Sequence, residues 1–159
     1  MSTRRQLAIE LMPHLMRALA FMQMIEEGLC LYVGTAEELI AAGVPYGVPF
    51  RVDRKAINSA ALGKITTMFE KVNRNEELIA HLRKLPAHRD YLAHAAFMQS
   101  VRGISDESID LDYARKHAIA VGDHAEQLLE LIGQEMRSLL LNFPNYRFGS
   151  LTSTNDEDV

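Results

Sequence analysis

Three side chains in one short stretch, Pro86-Ala87-His88-Arg89-Asp90-Tyr91-Leu92-Ala93-His94-Ala95-Ala96-Phe97, have the types and spacing to act on a phosphodiester. Arg89 offers a planar fork of donors whose charge does not depend on pH, suited to clamping a phosphate. His94 follows five residues later, about 140° further round an ideal α-helix, and its imidazole can give or take a proton near neutrality. Asp90 lies one full turn before His94, on the same face, where a carboxylate can hold one ring nitrogen and leave the other free. Acid or base, orienting carboxylate and anion clamp are the minimum set for cutting a phosphodiester without a metal.

These residues need a helix to hold them, and the sequence supplies one. Leu78, Leu82, Leu85, Arg89, Leu92 and Ala96 recur on one face, so Arg89 stands where an aliphatic residue is expected. Asn75 can cap this helix after an Asn73-Arg74-Asn75 turn, and the helix is expected to end before Gly103. Pro86 removes the partner of the Leu82 carbonyl. Because Leu85 is a poor cap, the pattern predicts a kink there rather than a fresh start.

The rest of the chain reads as helices around that one. A first helix is predicted from Thr3 to Tyr32, with Leu7, Leu11, Leu15, Ala18, Met22, Ile25, Leu29 and Tyr32 in phase. Met12, Met16 and Leu19 form a second stripe, which calls for cover on a second side. Thr35 and Glu38 make a capping box for a short helix stopped by Gly43. Proline and glycine keep Val44 to Phe50 out of helix. Asp53 caps a helix predicted from Arg54 to Val72, with Ile57, Ala61, Ile65, Met68 and Val72 in phase. Asp110 opens the last one, running to Phe143-Pro144 with Ala114, Ala118, Val121, Ala125, Leu128, Ile132, Met136 and Leu139 inward. The expected architecture is an all-α antiparallel bundle of four to five helices, one domain over residues 1–148, with an unstructured polar acidic tail over 149–159.

The composition is that of an ordinary globular chain: 159 residues, 48% hydrophobic and 24% charged. No apolar run reaches bilayer length and no signal-peptide pattern opens the sequence, so a cytoplasmic protein without membrane contact is expected. Cys30, the single cysteine, lies in a helical apolar pattern and reads as core filler. The net charge of −4 argues against nucleic acid, but the charge is unevenly spread along the chain. Three acids and no base fall between Thr152 and Val159, whereas Arg51 to Arg102 holds ten Lys or Arg against five Asp or Glu. A locally basic segment can attract phosphate.

The Arg89–His94 pattern, with a polar residue directly after the arginine, resembles the Arg-x4-His motif of the HEPN superfamily (higher eukaryotes and prokaryotes nucleotide-binding). The approach through Asn75-Glu76-Glu77-Leu78-Ile79 and Leu82-Arg83-Lys84-Leu85 is similar to the usual run into that motif, and the likeness extends over the long helices from Gln6 to Leu141. The resemblance implies a helical bundle that pairs as a two-fold homodimer with the motifs facing across a cleft. It implies RNA as substrate, cut without metal or cofactor by attack of the ribose 2′-OH. His94 is then the acid/base, Arg89 the phosphate contact and Asp90 the orienting residue. Many members are toxins or defence nucleases, which adds an antitoxin protein to the expected partners. Others are catalytically silent and bind a partner protein or nucleotide. Ala96 stands where members regulated by nucleotide transfer carry a tyrosine, so that regulation is not expected here.

Other candidates carry less chemistry. His81 and His88 share a face, as do His117 and His124, but without the three or four convergent ligands a metal needs. Tyr46 and Phe50 on the Pro/Gly loop are expected to lid the bundle's own core, or else to stack on a base or cover a partner. Gly-x-Ser-x-Gly, CxxC, His-Glu-x-x-His and phosphate-cradling glycine loops are absent from the sequence.

Overall fold

The computed structural model describes residues 3–102 and 110–143, and among these every regular element is helical. In order these are α1 (Thr3–Gly43), α2 (Arg54–Asn58), α3 (Leu62–Val72), α4 (Glu76–Leu82) and α5 (Leu85–Asp90). A single π-helical turn (Tyr91–Ala96), α6 (Phe97–Arg102) and α7 (Leu111–Leu141) complete the set. The Gly103–Asp106 connection and the acidic tail fall outside the described residues. No helix among the described residues is long and apolar enough to cross a membrane.

The first correction concerns α1, which is one unbroken helix of 41 residues rather than two. Tyr32, Val33, Thr35 and Ala36 are all buried, so tertiary packing carries the helix through the expected stop. Thr35 therefore caps nothing, and its Oγ1 has no hydrogen-bond partner among the described residues. Glu38 instead accepts from the Arg54 guanidinium. That guanidinium sits against Gly34, where a Cβ would collide with it. Gly34 is thus a crossing point for Arg54, not a helix end.

The second correction splits the helix expected from Arg54 to Val72. Asp53 caps α2 as read, its Oδ1 accepting from the Ala56 N–H at 2.8 Å. The Ser59 hydroxyl then bonds back to the Lys55 carbonyl, and Ala61 turns extended. The break advances the buried phase: Ile57 and Ala60 before it, Leu62, Ile65, Thr66 and Phe69 after it, with Ala61 left exposed. A continuous helix could not have buried both sets.

The core forms where α1 meets α7 and where the α4–α6 run lies against both. Antiparallel order holds for that run: Arg89 meets Glu26 while Asn73 meets Tyr32, and His88 meets His117 while His81 meets His124. The first and last helices, by contrast, run parallel, since Glu10 faces Arg115, Arg17 faces Asp123, and Gly28 lies against Ile132. Leu11, Leu15, Ala18, Met22, Ile25 and Leu29 of α1 meet Ala114, Ala118, Val121, Ala125, Leu128 and Ile132 of α7 in a fully enclosed layer. At one end, Glu135 of α7 accepts from Asn73 and Asn75 at 2.9 and 2.7 Å and clamps the α3–α4 turn.

Candidate functional site

Arg89 takes its place on the α5 stripe between the fully buried Leu85 and Leu92, so its side chain is directed at α1. There it meets a carboxylate: Arg89 Nη1 donates to Glu26 Oε2 at 2.7 Å. Glu26 keeps only 18% of its side-chain exposure and Arg89 keeps 36%. Glu26 sits beside Ile25 and one turn from Met22 and Leu29, which are fully buried. A charge in that position loses hydration and needs a cation, and Arg89 supplies it. One nitrogen of the guanidinium is engaged by this bond. The fork has five N–H donors, so others remain for an anionic ligand.

Sequence reasoning identified Arg89 and missed Glu26. Glu26 gave no signal, because the apolar phase of α1 runs unbroken through Met22, Ile25 and Leu29 beside it.

The run into Arg89 restarts at Leu85-Pro86 instead of kinking there as expected. The α4 helix closes at Leu82 and α5 opens at Leu85, with Pro86 in its first turn, where a missing N–H costs least. Arg83 and Lys84 stay right-handed, and the Lys84 N–H bonds the His81 carbonyl three residues back, a tighter turn than the α-helix's.

Beyond Asp90 the helix widens into the π turn. Its hydrogen bonds run i→i+5, and Arg89 lies just before the turn while His94 lies within it. Asp90 immediately precedes the turn that holds His94. Both are exposed, and no hydrogen bond joins them. Leu92 and Ala96 anchor the turn in the core, and Tyr91 packs edge-on against His117 of α7 at 4.9 Å. Burial, with Tyr113 nearby, pushes the Tyr91 hydroxyl above its usual pKa, so that phenol stays protonated at neutrality.

Around Glu26 lies an open groove of about 540 Å³, lined also by Gln23, Glu27, Cys30, Leu31, Arg54 and Asn58. Cys30 is half-buried there, with Sγ 3.3 Å from the Ile57 carbonyl. Burial, then Glu26 and Glu27, push its thiol up, which makes it a poor nucleophile. Among the described residues no group of three or more His, Cys, Asp and Glu converges to hold a metal. The aromatic loop departs from its expected role, for Tyr46, Val48 and Phe50 are all exposed and cover none of the core. Its residues turn outward at Gly47, whose φ of +90° suits glycine. The four histidines of α4, α5 and α7 do come together, as two facing pairs across a helix seam.

Comparison with known families, with characterised proteins and with solved structures finds no match to this chain.

Proposed function

We propose that this chain is a metal-independent endoribonuclease of the HEPN type, working as a two-fold homodimer. The observation that best supports this reading is the π turn, which begins two residues after Arg89 and carries an exposed His94 while Leu92 and Ala96 stay anchored in the core. His94 is open to solvent and so to a substrate. It takes the proton of a ribose 2′-OH, or gives one to the departing 5′-oxygen, as that hydroxyl attacks the adjacent phosphorus. Arg89 contacts the phosphate oxygens, where charge gathers in the transition state. The products are a 2′,3′-cyclic phosphate and a 5′-OH end. Exposed Phe97, Met98 and Val101 on α6, directly after the turn, are apolar surface that a second copy would cover.

A second reading is favoured by one contact. The Arg89–Glu26 bond occupies part of the clamp, and Asp90 holds no hydrogen bond to His94. A catalytically silent dimer that binds a partner protein or nucleotide would tolerate both. Induced expression separates the two. A toxin-like nuclease slows growth and degrades cellular RNA, and Arg89→Ala or His94→Ala relieves both effects. Unimpaired growth and intact RNA in cells making the wild-type chain would favour the silent reading.

A further inference from the structure

The seam between α4–α5 and α7 is lined by imidazoles on both sides. His81 faces His124 with ring centroids 4.9 Å apart, and His88 faces His117 at 5.6 Å. His117 is the centre of the set: it also meets Tyr91 edge-on at 4.9 Å and stacks with Tyr113 at 6.0 Å. Tyr91 is the first residue of the π turn, so His117 is a direct contact between the seam and the segment that carries His94.

We propose that this histidine seam is a proton-operated latch on the π turn, closed while the imidazoles are neutral and loosened when facing pairs become charged.

The charges described around the seam offer little to neutralise a second proton. On α5's side Lys84 adds a fixed positive charge near His124. From α4, Glu77 shares a groove with His81 and His124 and is the carboxylate closest to hand. On α7, Asp123 and Glu126 are turned to Arg17 of α1, and Asp112 is held between Arg115 and Lys116. From α3 the contact with α5 is Gly63 near Pro86, which brings no charge. Among the described residues, four imidazoles and Lys84 therefore share the Glu77 carboxylate. His88 and His117 lie 5.6 Å apart ring to ring, so positive charge on both repels across that contact.

Burial and then His88 hold His117 below the ordinary histidine pKa, and burial, His81, His88 and Lys84 do the same for His124. Below about pH 6.5 an opened seam therefore binds more protons than the closed one. Closure is favoured above that pH, and it weakens as pH falls through the depressed values.

The latch does not depend on what the π turn does chemically. It is tested by amide hydrogen exchange of the full chain at about pH 7.5 and about pH 5, corrected for the intrinsic pH dependence of exchange. Protection at Tyr91 to Ala96 should fall severalfold at the lower pH, while amides at Leu11 to Leu15 in α1 hold theirs. In His88→Gln/His117→Gln the fall should disappear. Unchanged protection of the wild-type turn, or an undiminished fall in the double variant, overturns the proposal. Should the double variant not fold, ring NMR of the wild-type decides. Titration of both His117 and His124 below the free-histidine value of about 6.5 is expected, and titration at or above it is contrary.

Discussion

Replacing Glu26 with glutamine removes one charge from the Arg89 contact and leaves its shape. Exposed ion pairs are worth about 0.2–1 kcal/mol, whereas breaking a buried one costs about 3–5 kcal/mol. With Arg89 36% exposed and Glu26 18%, this pair falls between those limits, and a coupling of about 1–2 kcal/mol follows. For a chain of 159 residues each kcal/mol moves the melting temperature by about 2–4 °C, so Glu26→Gln should melt about 2–8 °C lower. The assay is a double-mutant cycle in urea with Glu26→Ala, Arg89→Ala and the double variant, repeated at high salt, where the coupling should shrink. The same substitution frees the Arg89 fork, so Glu26→Gln should bind an RNA oligonucleotide more tightly than wild-type. A coupling energy below about 0.3 kcal/mol would refute the view that Glu26 holds Arg89 in place.

Other outcomes follow from single contacts. Asn73→Ala removes the buried amide that links Tyr32 and Glu135 and receives the Asn75 N–H, and should cost about 1–3 kcal/mol by urea melting. Gly34→Ala displaces the Arg54 guanidinium from α1, losing a half-buried pair worth about 1–2 kcal/mol. Because it gains about 0.8–1 kcal/mol of helix propensity in exchange, its net effect by thermal melting should be a small loss, about 0–1 kcal/mol. Cys30, with its thiol pushed up by burial and by Glu26 and Glu27, should react with a thiol reagent at neutral pH more slowly than in the urea-unfolded chain.

What the sequence made legible was local. Asp53, Asn75 and Asp110 cap the helices read from them, because an N-cap bond spans only three residues. The inward phases of α1 and α7 were legible too, since period and burial agree along both. The missed features are long-range. Thr35 and Glu38 look like a capping box, yet the partner that redirects Glu38 is Arg54, and the packing that carries α1 past Gly34 comes from other helices. In the site, Arg89 was conspicuous as a charge in an apolar stripe, while Glu26, 63 residues earlier, becomes its partner only through the packing of α5 on α1. The π turn has no signature in composition. It begins between Arg89 and His94, where α-helical spacing was expected throughout.

The most direct test of the central proposal is incubation of a mixed RNA pool with the purified chain in excess EDTA, wild-type beside His94→Ala. Cleavage by wild-type alone, leaving 2′,3′-cyclic phosphate ends, is the predicted result. Equal background from both proteins would contradict a ribonuclease centred on His94.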